Sequence, residues 1–256
     1  MSLPVIVSHR GAKRETPENT ASAFNKALTY PINGIELDVQ LTRDKIPVIY
    51  HDRTIWKVTR KRDRIKDYTY EELLNKDFGK WYDTSFTGEK ILTLQETLDL
   101  LFDKTDLYVE IKSRGWDRNM GTSEILTRIT TSLLRGALDN QQGNKRKIHI
   151  LSFDKKVLEL AHSLESDWRY VLNIVSPSQL SEESLNQSDF LWGVCTNINR
   201  LTLGFVNAIH AIGKKALTYT CNTPKQVKLA LKTEMDVVMT DDPKWLFTWF
   251  KEKGIV

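Results

Sequence analysis

Cysteine is scarce in this chain. Two thiols, Cys195 and Cys221, in 256 residues cannot supply the disulfide framework of a small secreted domain, and a chain this long builds a core without one. Both are expected to be buried thiols in a reducing compartment. Long apolar runs are missing as well. None reaches the ~18 residues that a membrane span needs, and Met1 to His9 show neither the basic leader nor the apolar length of a signal peptide. A cytoplasmic protein without stable membrane insertion is the expectation. Nor is there a large excess of one charge: 37 Lys and Arg face 33 Asp and Glu, a formal charge of +4 with an isoelectric point near 8.9. That is too mild for a dedicated nucleic-acid binder and leaves room for an anionic small molecule. Internal repeats and low-complexity segments are also lacking. With 40% hydrophobic and 27% charged residues the chain is globular rather than disordered, and its oligomeric state is not set by the sequence.

Short β-branched runs alternate with segments of helical period, which is the pattern of βα units on a parallel sheet. Eight runs stand out: Val5 to Val7, Ile35 to Val39, Leu107 to Ile111, Ile148 to Leu151, Tyr170 to Leu172, Phe190 to Val194, Ala216 to Thr220 and Val237 to Met239. Helices are expected over Asn19–Leu28, Thr93–Phe102, Ser123–Leu134, Lys155–Ser163, Ser181–Asn186, Thr202–Ile212, Pro224–Leu231 and Pro243–Glu252. Eight pairs predict a single α/β domain over residues 1–256, a closed (β/α)8 TIM-type barrel. No glycine-rich nucleotide fingerprint follows the first run, which disfavours a dinucleotide-binding fold. One stretch, Asp52 to Lys90, far exceeds an ordinary connection of about 2 to 6 residues and reads as a small inserted subdomain. Phe78, Trp81, Tyr82 and Phe86 are expected to hold it to the rim. Its run Arg60-Lys61-Arg62-Asp63-Arg64 reads first as a solvated face.

In such a barrel the chemistry sits at the C-terminal ends of the strands. There the chain places His9-Arg10-Gly11, then Glu36-x-Asp38, then Glu110-x-Lys112, with a hairpin-like return through Thr42 to Pro47 leading to His51-Asp52. Side chains two apart on a strand share a face, so Glu36 joins Asp38 and Glu110 joins Lys112. Inward carboxylates need positive charge nearby or must take up protons. Three together predict a divalent cation, and all-oxygen ligation favours Mg²⁺ or Ca²⁺. The competing expectation pairs them with Arg10 and Lys112 alone. His9 and His51 suit general acid and base work near neutral pH, as phosphodiester cleavage requires. His149, His162 and His210 lack such company and are read as structural. Tyr219 should point into the mouth if Thr218 and Thr220 face outward, offering its ring to substrate or filling the core.

Ser8-His9-Arg10-Gly11, Pro17-Glu18-Asn19-Thr20, Gly34-Ile35-Glu36-Leu37-Asp38-Val39, His51-Asp52, Glu110-Ile111-Lys112 and Thr240-Asp241-x-Pro243 resemble, in type and order, the motifs of the glycerophosphodiester phosphodiesterase family. The resemblance runs along nearly the whole chain. It implies a barrel hydrolase that converts a small glycerophosphodiester to sn-glycerol 3-phosphate and an alcohol. By motif, His9 and His51 become the acid/base pair, Glu36, Asp38 and Glu110 the metal ligands, and Arg10 and Lys112 the phosphate contacts. Glu18 and Asn19 are further candidates for substrate contact, although an Asn there also suits a helix start. The chain departs at Tyr219-Thr220-Cys221-Asn222, where the family usually has Trp-Thr-Val-Asn, and at Leu92, where proline is usual. Two other readings of the same residues are a phospholipase C or D type activity on lysophospholipid or phosphoinositide, and an inactive barrel serving as a binding module.

Overall fold

Eight parallel strands close on themselves in the computed structural model, which describes residues 3–113, 121–140, 147–180 and 188–255. In chain order the elements are β1 (Val5–His9), α1 (Ala21–Ala27), β2 (Gly34–Leu41), β3 (Pro47–Ile49), α2 (Trp56–Thr59), α3 (Tyr70–Leu74), α4 (Leu94–Leu101), β4 (Asp106–Ile111) and α5 (Thr122–Asp139). There follow β5 (Ile148–Ser152), α6 (Lys155–Leu164), β6 (Arg169–Ile174), β7 (Leu191–Asn197), α7 (Leu203–Ala211), β8 (Lys215–Tyr219), α8 (Pro224–Lys232), β9 (Val237–Thr240) and α9 (Pro243–Glu252). The ladder runs β1-β2-β4-β5-β6-β7-β8-β9 and returns to β1, while β3 lies antiparallel on β2. This is the expected (β/α)8 barrel, and all eight expected strands are present.

Because both faces of each barrel strand are covered, β2 is buried along nearly its whole length. Alternation sorts its residues. Ile35, Leu37 and Val39 pack outward with Leu107, Val109, Ile111, Ile148 and Ile150 beneath the helices. The inward positions change character from bottom to top: Val7, Tyr108, Leu151, Val171, Cys195, Leu217 and Val237 fill the lower interior, and His9, Glu36, Glu110 and Tyr219 line the mouth above. Cys195 and Cys221 are both free and buried.

The expected helix at Asn19 begins two residues later. Thr20 is its cap, its hydroxyl accepting from the Ala23 backbone N–H, whereas Asn19 holds a left-handed backbone, φ 58°. The helix expected to end at Leu134 runs on to Asp139, and the one expected over Ser181–Asn186 lies outside the described residues. Residues 52–90 contain α2, α3 and two short 3₁₀ turns. Their core is mainly aliphatic: Ile55, Ile65, Leu73, Phe78 and Ile91 pack with Val48 and Tyr50. Of the four aromatics expected there, Phe78 alone is buried. Trp81, Tyr82 and Phe86 meet edge to face nearer the surface.

At the bottom of the barrel the ring of His149 lies flat on Tyr108, centroids 3.9 Å apart. Gly34 makes room for this pair, since a Cβ there would meet the Tyr108 ring at 2.7 Å. His149 Nδ1 is 3.3 Å from the Leu107 carbonyl, which can only accept, so the proton sits on Nδ1 and Nε2 accepts from Arg169 at 3.2 Å. Burial, then the Arg169 charge, lowers its pKa to about 3. A depressed histidine contributes stability above its unfolded value and loses it as pH falls toward the folded one. Denaturant unfolding should therefore show stability dropping from pH 6.5 toward 3, by up to about 1.4 kcal/mol per pH unit from this residue. His9 adds the same sign, so the informative quantity is the difference from His149→Phe, whose curve should be flatter. Coincident slopes would remove His149 from the account.

Candidate active site

The two histidines of the mouth meet because β2 shares one edge between two strands. β1 pairs with its first half and stops with His9 opposite Glu36, and β3 takes up the same edge from Leu41 down to Val39. Tyr50 then donates to the Asp38 carbonyl, which delivers His51 beside Asp38. After β1 the chain must turn sharply. Arg10 and Gly11 both take positive φ, and a Cβ on Gly11 would strike the Ala23 backbone at 2.6 Å. The turn aims the Arg10 side chain across the barrel top.

His9, Arg10, Glu36, His51, Glu110, Lys112, Asn173 and Tyr219 line a cleft of about 100 Å³. Ligand atoms of Glu36, Asp38 and Glu110 lie within 4.8 Å of one another. Asp38, fully buried, receives the cations: Lys112 Nζ at 2.6 Å, Arg10 Nε at 3.1 Å and a hydrogen bond from Asn19 Nδ2 at 2.8 Å. Burial alone would raise its pKa, yet Lys112 and then Arg10 hold it far below the usual carboxylate range. Glu36 forms an ion pair with neither cation among the described residues, and their charges offset its burial only in part. Burial first, and then the Asp38 charge, push its pKa well above the ordinary value. Lys112 also reaches Glu110 at 2.5 Å, and its own pKa is raised because Asp38 and Glu110 outweigh burial.

His9 donates from Nδ1 to Asp241 Oδ1 at 2.6 Å, and its Nε2 stands 3.8 Å from Glu36. Burial, followed by the Arg10 charge, lowers its pKa to about 4, so the ring is neutral at pH 7 with Nε2 unprotonated. His51 pairs through Nδ1 with Asp52 at 2.9 Å, which leaves its Nε2 for the cleft. Tyr219 lies roughly parallel to His9, centroids 6.3 Å apart, and burial raises its hydroxyl pKa to about 12. Glu18 is tied to Arg10, Lys57 and Lys13. Every residue singled out in the sequence is thus drawn into one site, with Tyr219 facing the mouth.

These groups form one connected network. Six carboxylates, Glu18, Glu36, Asp38, Asp52, Glu110 and Asp241, are linked to four cations, Arg10, Lys13, Lys57 and Lys112. Histidines aside, the acids outnumber the cations by two.

A sequence model of the glycerophosphoryl diester phosphodiesterase family matches residues 9–245. The chain belongs to that family. As a glycerophosphoryl diester phosphodiesterase family member it is a phosphoric diester hydrolase. It is 29% identical over 257 residues to the glycerophosphodiester phosphodiesterase of Caldanaerobacter subterraneus subsp. tengcongensis, covering 98% of this chain and 99% of that protein. It is 30% identical to the one of Bacillus altitudinis, covering 93% and 94%. Among solved structures it resembles an Oleispira antarctica phosphodiesterase in complex with the product sn-glycerol-3-phosphate, with a TM-score of 0.83, 25% identity and 96% of each chain covered.

Sequence reasoning gave no role to Asp241, Asn222, Asn173, Lys13 or Lys57. Asp241 is reached only through closure of the barrel, which sets the end of β9 against β1. Asn222 fixes it, donating from Nδ2 to Asp241 Oδ2 and accepting the Asp241 backbone N–H at Oδ1. The usable signal was a carboxylate one residue past the last strand.

The unequal treatment of the carboxylates has a measurable consequence for the metal-free protein. Asp38→Asn leaves Arg10 and Lys112 facing too little charge and should cost about 3 kcal/mol, the range for breaking a buried pair. Glu36→Gln removes a group already driven toward its protonated form and should leave stability unchanged or raise it. Denaturant unfolding in chelator decides. Equal losses in both variants would contradict the uneven charge distribution.

Proposed function

We propose that this protein hydrolyses small glycerophosphodiesters to sn-glycerol 3-phosphate and an alcohol, with His9 and His51 as the acid/base pair. The observation that carries this reading is the pair of histidines on one cleft, each backed by a carboxylate and flanked by Arg10 and Lys112. A phosphodiester needs one group to remove a proton from the attacking oxygen and another to give one to the leaving oxygen. Asp241 holds the His9 proton on Nδ1 and so presents Nε2 as the base. His51, held by Asp52 on the more open side, is the acid for the departing alcohol. Arg10 and Lys112 face the phosphoryl oxygens with fixed charges, which act strongly in a water-poor cleft. Tyr219 offers its ring to the glycerol carbons, and Glu18 steadies Arg10. A phospholipase-type or inactive reading is not favoured: the acid/base and cationic groups are all in place, and the relatives' names specify glycerophosphodiesters.

Glu36, Asp38 and Glu110 would hold Mg²⁺ or Ca²⁺. Three observations support the fit. The donors are all oxygens, the acids of the network outnumber its cations, and Asn19 Oδ1 is buried beside Asp38 with no hydrogen-bond partner. Such an ion supplies Lewis acidity toward the phosphoryl oxygens.

Two outcomes are expected. Chelation should abolish release of sn-glycerol 3-phosphate, with Mg²⁺ or Ca²⁺ restoring it. Independently of turnover, adding the ion to metal-free protein should release protons, because Glu36, whose carboxyl is pushed toward its protonated form, must ionise to bind. Glu36→Gln should remove that release. Full turnover in chelator without bound metal, or proton release unchanged in Glu36→Gln, would refute the ligand assignment.

For the histidines, His9→Ala and His51→Ala should each lower kcat by roughly 10² to 10⁴ while the thermal melt stays near wild type. A nitrophenolate leaving group needs no protonation, so it should rescue His51→Ala and not His9→Ala. Rescue of His9→Ala alone would exchange the two roles, and equal losses on both substrates would end the division of labour.

A further inference from the structure

The formal charge of the chain is concentrated in a single stretch. Residues 52–67 carry seven cations, Arg53, Lys57, Arg60, Lys61, Arg62, Arg64 and Lys66, against the three acids Asp52, Asp63 and Asp67. Their balance of +4 equals that of all 256 residues, so the remainder of the chain is neutral. The acids are engaged locally: Asp52 by His51 and Lys57, Asp63 by the Tyr68 hydroxyl, Asp67 by the Arg64 backbone N–H. Arg53, Arg60, Lys61 and Arg62 are exposed, and among the described residues none of the four forms an ion pair. Between them Trp56 is 51% exposed, with the Arg60 guanidinium 4.7 Å above its ring.

We propose that this stretch is a docking surface for a bilayer bearing acidic phospholipid head groups. An indole left half in water beside unpaired guanidinium and ammonium groups is the combination that settles at a lipid interface, the ring at head-group depth and the cations on the phosphates. The stretch also stands at the mouth. Lys57, adjacent to Trp56, reaches into the cleft to Glu18 and Asp52. Three further exposed apolar side chains, Phe153, Val175 and Leu203, lie a few residues beyond the ends of β5, β6 and β7, on the same mouth side. Docking through residues 53–62 therefore turns the cleft toward the membrane. Given the proposed hydrolysis, on which this link rests, a glycerophosphodiester is what remains of a phospholipid once its acyl chains are removed, so the surface places the enzyme where that substrate is made.

Vesicle flotation tests the surface without any turnover, which keeps its failure separate from that of the hydrolytic reading. The full-length protein should float with phosphatidylcholine vesicles rich in phosphatidylglycerol at low salt, be released at high salt, and ignore pure phosphatidylcholine. A variant combining Arg60→Gln, Lys61→Gln and Arg62→Gln should lose about a hundredfold in partitioning, from roughly fivefold per cation. A control with the same change in net charge, Lys225→Gln, Lys228→Gln and Lys232→Gln on α8, should bind as wild type. Both variants should keep the wild-type circular dichroism and turnover of soluble substrate. Trp56 fluorescence, taken as the difference from Trp56→Ala, should be quenched by brominated lipid. Absence of binding to acidic vesicles, equal binding to neutral ones, or equal losses in the two triple variants would overturn the proposal. A fall in kcat/KM on soluble substrate in the first variant without vesicle binding would instead make the stretch a steering field for dissolved anions.

Discussion

The site depends on a shortage of positive charge. Six carboxylates and four cations share one network at the barrel mouth, and the cations are placed unevenly. Arg10 and Lys112 both converge on Asp38, the most deeply buried of the acids. A charge there without partners would be the costliest in the molecule. Glu36 and Glu110 are left with less, and burial together with the Asp38 charge pushes the Glu36 carboxyl well above its ordinary pKa. The cluster is therefore neither a set of plain ion pairs nor a bare metal cage. Of the two expectations the sequence allowed, pairing with Arg10 and Lys112 is real yet incomplete, and a dication matches what it leaves over.

The remaining architecture explains how such a cluster is tolerated. Below it the barrel interior is apolar and filled, with Tyr108 and His149 stacked at the bottom. The acids stand at upper inward positions of β2 and β4, beside the cleft. His9 and Glu36 are register partners, and His51 enters from the strand that continues the same edge of β2. One short hairpin thus does two things: it covers the upper edge of β2 left free where β1 ends, and it carries the second histidine to the first.

Much of this was legible because it is written in periods and neighbours along the chain. Alternation placed Glu36 with Asp38 and Glu110 with Lys112, and strand counting gave the barrel. Both depend only on local geometry. What escaped was set by closure. Asp241 meets His9 across 232 positions of sequence, and no local pattern distinguishes it from a helix-capping acid such as its neighbour Asp242, which does cap α9. Asn19 leaves two readings open, a site contact or a helix start, for a related reason. It lies one residue before the cap and resembles one, but Thr20 takes that role and frees Asn19 to bond Asp38. Likewise the aromatics of residues 52–90 suggested a clasp, whereas the buried contacts are mostly aliphatic.

Positive charge therefore does two kinds of work in this protein. Within the mouth, Arg10, Lys13, Lys57 and Lys112 are paired with carboxylates, and their partial burial makes them less sensitive to salt than exposed cations. Along residues 53–62, Arg53, Arg60, Lys61 and Arg62 face water, and among the described residues no acid pairs with them. A solvated basic run normally has acids interspersed, because mixed signs limit self-repulsion. Here the acids of the run, Asp63 and Asp67, are turned to internal bonds with Tyr68 and the Arg64 backbone. Asp63 and Asp67 thus spend hydrogen-bonding capacity on local partners, Asp67 while still exposed, and the four cations stay exposed beside them. The field at the entrance follows from the local excess of seven cations over three acids in residues 52–67 and from where the fold places that stretch, since the rest of the chain is balanced.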